Sequence, residues 1–306
     1  GGGGSGDTPV FWHIPKAGGS TVKRLLMGCH KMVIATDFGR KDGHDHDKEI
    51  ALFNNNGISS INVDVTTPEG IQRAKRLGLA KSGLAQVVVT SEIYNIASIF
   101  DKSHSGVVFG MFRHPIDRAV SMYNYLSTAI WEENSASFYL TYGRMGIEEY
   151  SSGDLGEESN WMVRMITNKR TGHKVTREDL EAAKEFLRKK VLVGLISEME
   201  ESIDRYEMFF KWKYEFHPVA QENCRTIKIT NGTNVNTKIK SVETPKPGSV
   251  AYERLTQQNV LDIELYEYAE ALFKEQKNLF VDYPDIYRAV NATCCKCDGT
   301  CPDGVL

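Results

Sequence analysis

His13-Ile14-Pro15-Lys16-Ala17-Gly18-Gly19-Ser20-Thr21 follows directly on the apolar run Val10-Phe11-Trp12. The pattern predicts a short strand that turns through a glycine pair into a helix, with one lysine held in the turn. Such a turn aims several backbone N–H groups and a helix N-terminus at one point, which makes it an anion site. A plain strand–turn–helix carrying a surface lysine is the alternative. Further along, Val107-Val108-Phe109-Gly110-Met111-Phe112 has the pattern of a buried strand, and Arg113-His114-Pro115-Ile116-Asp117-Arg118-Ala119-Val120-Ser121 comes next. Proline fits the first turn of a helix, where its missing N–H is not needed. Arg113 is thus expected at a strand end, with Ser121 two helical turns beyond it.

Around these two elements, strands are expected near 9–14, 31–36, 86–90, 106–112 and 191–195. Helices are expected near 19–28, 68–78, 93–101, 115–129, 157–168, 176–189 and 198–211, with a long amphipathic one at 249–277. Strands alternating with helices predict an α/β fold, a central parallel sheet with helices on both faces. Ligands bind such sheets at the carboxyl ends of the strands. Lys16, Glu92 and Arg113 each follow a predicted strand and would gather on that edge. The segment 37–66, rich in Asp, His, Asn and Gly, reads as an irregular insertion, and 217–248 as a second irregular stretch. Residues 1–6 read as an appended linker, 7–285 as one domain, and 286–306 as a cysteine-rich tail.

The chain has 306 residues, 41% hydrophobic and 25% charged, with a net charge of −3. That is ordinary soluble globular composition. No apolar run approaches the roughly 18 residues of a membrane span, so neither membrane contact nor nucleic acid is expected. A long, highly anionic polymer as substrate would call for a strong basic excess, which is absent. Local basic stretches occur at Lys169-Arg170 with His173-Lys174 and at Arg188-Lys189-Lys190, the latter reading as a solvated helix face. Of six cysteines, Cys294, Cys295, Cys297 and Cys301 crowd the tail. Their spacing lacks paired C-x2-C knuckles, which favours disulfides over zinc. With the glycosylation sequons at Asn231 and Asn291, they point to a secretory lumen, the Golgi first.

The lysine here precedes the glycines, unlike the G-x-x-x-x-G-K-[ST] loop of nucleotide triphosphatases. In that order the loop resembles the 5′-phosphosulfate loop of sulfotransferases that use 3′-phosphoadenosine 5′-phosphosulfate (PAPS). The strand–Arg113–x7–Ser121–helix element resembles the family's 3′-phosphate site. Ser159-Asn160-Trp161-Met162-Val163-Arg164-Met165, Val193-Gly194-Leu195-Ile196 with Glu200-Glu201-Ser202, and Leu261 to Tyr268 resemble segments of the Golgi carbohydrate sulfotransferases, which include the uronosyl 2-O and hexosamine 6-O enzymes. The resemblance spans about 10–275. It implies a P-loop-like, PAPS-binding sulfotransferase fold and transfer of a sulfuryl group to a hydroxyl, a carbohydrate's first, without a metal.

By that resemblance, Lys16, Ala17, Gly18, Gly19, Ser20 and Thr21 would hold the 5′-phosphate, and Arg113 and Ser121 the 3′-phosphate. Lys16 would also offset charge on the oxygen leaving sulfur. The family's general base follows the third strand, where Glu92 stands here in Val87-Val88-Val89-Thr90-Ser91-Glu92. Glu92 could instead only cap the helix from 93. His44 and His46 are rival bases, or metal ligands, or residues of a solvated loop. His13 and His114 fit structural roles. Trp161 suits the core or adenine stacking, Arg118 a phosphate or a surface pair, and Lys238–Gly248 a closing loop. Two other functions stay open: a nucleotide-dependent kinase of related fold, and a binding protein without turnover.

Overall fold

The computed structural model describes residues 7–280 except 56, 129–141, 171, 213–217 and 233–241. The chain runs β1 (Thr8–Trp12), α1 (Gly19–Arg24, extended by a π turn Leu25–Cys29), β2 (Ile34–Thr36), α2 (Phe38–Lys41), β3 (Leu52–Asn55), β4 (Ile58–Asp64), α3 (Pro68–Arg76), α4 (Leu79–Ser82), β5 (Val87–Thr90) and α5 (Ile93–Ile96). It continues with β6 (Gly106–Phe112), α6 (Pro115–Leu126), α7 (Ile147–Ser152), α8 (Trp161–Thr167), α9 (Arg177–Lys190), β7 (Val191–Leu195), α10 (Met199–Phe210), α11 (Pro218–Gly232), α12 (Val250–Gln258) and α13 (Val260–Gln276). Among the described residues, no helix is long and apolar enough to cross a membrane.

The strands form one sheet in the order β3-β4-β2-β5-β1-β6-β7, parallel throughout except for the β3–β4 pair. Alternate residues of each central strand face opposite sides, as strand geometry requires. Val10, Trp12, Val88 and Val193 enter a core shared with Ile71, Met162, Leu180 and Leu265 from helices. Phe11, Val87, Val89, Phe109 and Met111 enter the other, under Leu25, Leu26, Ile203 and Tyr206. Helices therefore cover both faces. β1 lies between β5 and β6, so the chain leaves it to one side first and returns to the other later. That reversal opens a crevice at the carboxyl ends of β1, β5 and β6.

Two stretches expected to be irregular contain regular elements. Residues 37–66 hold α2 and the β3–β4 hairpin, and β4 lies inside the sheet. Its Ser60, Asn62 and Asp64 read as loop residues but are buried. Asn62 is satisfied there by Ala51 N–H, Glu49 carbonyl and Asp47 carboxylate, which removes the cost of burying a polar group. In the second stretch, residues Pro218–Gly232 form α11, which Cys224 ties to Cys29 by a disulfide. The expected helix at 249–277 is two helices, divided at Asn259. That buried side chain donates to Leu255 carbonyl and accepts from Asn160 N–H, at 2.9 and 3.2 Å. β1 stops at Trp12, where Ile14 N–H turns back to the Trp12 carbonyl.

The C-terminal helix is locked to α8 by an exchange of caps. Asn160 Oδ1 accepts from Leu261 and Asp262 N–H, while the Asp262 carboxylate accepts from Met162 and Val163 N–H. Each helix start thereby gains acceptors for otherwise orphaned N–H groups. Complete burial raises the Asp262 pKa to about 6.

Candidate active site

β1 delivers the chain into a turn whose backbone is left-handed at two positions. Lys16 has φ +65°, a left-handed conformation that costs an ordinary side chain free energy, and Gly18 has φ +83°. A Cβ on Gly18 would also lie 2.9 Å from Met199 Cε, and one on Gly19 1.9 Å from His13 Cδ2. Only a glycine pair lets the turn pass under α10 and the His13 ring. Gly18 is the N-cap of α1 and offers no side-chain acceptor. Among the described residues, the N–H groups of Gly18, Gly19 and Ser20 have no acceptor. The structure narrows the expected donor set. Ala17 is buried with its N–H on the Ile14 carbonyl, and Thr21 N–H is taken by Gly18 carbonyl.

The two motifs meet. Arg113 Nη1 donates to the Lys16 carbonyl at 3.1 Å, bridging 97 residues of sequence. The Lys16 ammonium stands 4.3 Å from the centre of the Tyr125 ring, a cation–π contact. Tyr125 follows Ser121 by one helical turn on α6, so the half-buried Ser121 shares the stripe that faces Lys16. Burial lowers the Lys16 pKa, and the Arg113 charge lowers it further. Burial likewise lowers that of Arg113, with Asp117 opposing. Neither cation has a salt bridge among the described residues. Two half-buried cations beside three open N–H groups make a site for an anion.

His13 packs its ring on Gly19, as expected of a strand-end histidine. Burial, then the Lys23 charge, lowers its pKa to about 4, so it is neutral at pH 7. The unfolded chain binds this proton near pH 6.5 and the folded chain only near 4. Stability is therefore expected to fall as pH drops through that window, by at most about 1.4 kcal/mol per pH unit from this group. Thermal melts of the parent and of His13→Gln across pH 4–7 check this. The parent should lose more Tm on acidification, and parallel losses would refute the assignment.

Glu92 follows β5, whose Thr90 pairs with Trp12 of β1. Its N–H donates to Thr90 Oγ1 at 2.9 Å. Its buried side chain does not cap α5. Instead Oε2 accepts from Asn95 Nδ2 at 2.7 Å and is paired with the Arg170 guanidinium. The rival histidines lie elsewhere. His44 bonds Asp47 at 2.9 Å and packs on Phe53 of β3, three strands or more from β1. No cluster that could hold a metal ion occurs among the described residues.

Other candidates fall into structural places. Arg118 is fully buried, with Nη1 on the Glu158 carboxylate and Nη2 on its carbonyl, both at 2.9 Å. It is no surface pair, and its hydrogen bonds face away from the role of phosphate ligand. Trp161 is core, stacked on Trp12 at 6.2 Å. His114 stands at the N-cap position of α6 without a side-chain capping bond, its ring edge-on to Tyr266. Residues 238–241 lie outside the described part, but Val242 exchanges two hydrogen bonds with Asn124, and Thr244 donates to Asp117. Residues 242–244 are therefore docked on α6. Tyr125, Asn95 and Arg170 were missed. The i,i+4 spacing from Ser121 would have found Tyr125, whereas Arg170 reaches Glu92 only through the fold.

No protein-family model matches the chain, and no curated protein does. Among solved structures it is similar to mouse sulfotransferase SULT7A1 complexed with PAP. The two share 12% sequence identity over 94% of this chain and 88% of that one, with a TM-score of 0.37. A likeness this remote does not bear on the site.

Proposed function

We propose that the chain is a group-transfer enzyme of the sulfotransferase class, moving a sulfuryl group from PAPS to an acceptor hydroxyl. One observation carries the reading: Arg113 and Lys16, both half-buried and without a salt bridge among the described residues, are joined at the mouth of a loop with three open N–H groups. Gly18, Gly19 and Ser20 would receive the 5′-phosphate, and Arg113 with Ser121 the 3′-phosphate. Lys16 would balance charge on the phosphate oxygen as its bond to sulfur breaks. Glu92 would take the proton of the acceptor hydroxyl.

The finer reading is a carbohydrate sulfotransferase of a secretory lumen. It is supported by the segments around Asn160 and Asp262, which carry the resemblance and form the reciprocal caps. The Cys29–Cys224 disulfide favours an oxidising compartment. The expected result is thermal stabilisation by 3′,5′-ADP, the desulfated product, with no metal added. A ligand at one hundred times its Kd adds about 2.7 kcal/mol. Stabilisation by ATP with magnesium but not by 3′,5′-ADP would favour a kinase instead.

A further inference from the structure

The two oxygens of the Glu92 carboxylate have different surroundings. Asn95 Nδ2 and Arg170 Nη2 both converge on Oε2. Oε1 receives no donor among the described residues. The Glu92 backbone is fixed as well, since Thr90 Oγ1 accepts its N–H and donates to the Val65 carbonyl at 2.6 Å. Arg170 is itself half-buried and comes from the turn after α8, whose carbonyls at Lys169 and His173 are held by Arg164. A carboxylate pinned through one oxygen in this way cannot rotate freely about its last bond. It therefore presents the other oxygen in one direction.

We infer that Arg170, with Asn95, is a positioning residue that holds Glu92 by Oε2 so that Oε1 meets the acceptor hydroxyl. This rests on the reading of Glu92 as the base. In the step concerned, the hydroxyl proton passes to Oε1 and the oxygen's electron pair forms the new bond to sulfur. The bond from sulfur to the 5′-phosphate oxygen breaks, and its electron pair leaves with the phosphate. Arg170 touches neither reactant and acts only through the orientation of Glu92. Misplacing a reacting group by about an ångström costs up to about 10²-fold in rate.

The test needs no knowledge of the natural acceptor, because water can take its place. Release of sulfate from PAPS is measured for the parent, Arg170→Ala, Arg170→Lys and Glu92→Gln, together with the KM for PAPS, the affinity for 3′,5′-ADP and Tm. Arg170→Ala should lower kcat by up to about 10²-fold while the PAPS KM and 3′,5′-ADP affinity stay at parental values. Arg170→Lys should recover part of the rate, and so should guanidinium ion added at millimolar concentration to Arg170→Ala. A parental rate in Arg170→Ala, with Glu92→Gln slow, would remove the positioning role and leave the base assignment standing. A rate loss accompanied by weaker 3′,5′-ADP binding and unrelieved by guanidinium would make Arg170 a structural residue only. If Glu92→Gln releases sulfate as fast as the parent, the base assignment fails and takes this inference with it.

Discussion

Glu92→Gln is expected to reduce sulfuryl transfer by about 10²–10⁴, the range for loss of a general base. The structure explains why the change is clean. Asn95 and Arg170 both donate to one oxygen, so glutamine will set its carbonyl oxygen there and keep both bonds. Its amide nitrogen then faces the acceptor, where it can donate a proton but not accept one. Affinity for 3′,5′-ADP should stay at the parental level, because the proposed nucleotide site is made of Lys16, Arg113 and the loop and does not include Glu92. Lys16→Ala should impair both binding and turnover. His44→Ala and His46→Ala should leave activity intact, since β4 stands three strands from β1, roughly 14 Å at about 4.8 Å per strand. Normal turnover in Glu92→Gln with a dead histidine variant would move the base to the β3–β4 region.

Loss of the Cys29–Cys224 bond is expected to have the largest effect on stability. It links the end of the π turn after α1 to α11, 195 residues later in sequence. Closing so long a loop in the unfolded chain removes much of its entropy, and removing such a bond costs about 2–5 kcal/mol. For a chain of this size each kcal/mol moves Tm by about 2–4 °C. Melts of Cys29→Ser/Cys224→Ser, and of the parent with and without reductant, should show both treatments lowering Tm alike. A Tm indifferent to reductant and to the double substitution would mean that the bond does not hold the native fold together.

What the sequence made legible was local. Val10–Trp12, the glycine pair and Lys16 belong to one strand–turn–helix, and Val107–Ser121 to another, so apolar runs and turn residues suffice to place each. The alternation of strands and helices then implied the parallel sheet and the edge where Lys16, Glu92 and Arg113 gather. Illegible features were those in which tertiary partners override local character. Asn62 and Asp64 look like loop residues until the partners inside the sheet are known. Asn259 sits in an apolar periodic stretch and divides it, because its side chain answers Asn160 some hundred residues earlier. Arg118 resembled a solvated or phosphate-bound arginine and is instead enclosed with Glu158. The pairing of Cys29 with Cys224 could not be read from spacing, since connectivity among six cysteines is not encoded there.

The most direct measurement is calorimetric binding of 3′,5′-ADP and of 5′-AMP to the parent and to Arg113→Ala. Only the first ligand carries the 3′-phosphate that Arg113 is assigned to hold. A charge-assisted hydrogen bond of this kind contributes roughly 1.5–3 kcal/mol. Arg113→Ala should therefore weaken 3′,5′-ADP by about 10–100-fold and 5′-AMP little. The parent should prefer 3′,5′-ADP by a similar factor. Equal losses for the two ligands, or no preference in the parent, would contradict a 3′-phosphate site at Arg113 and with it the assignment of PAPS as the donor.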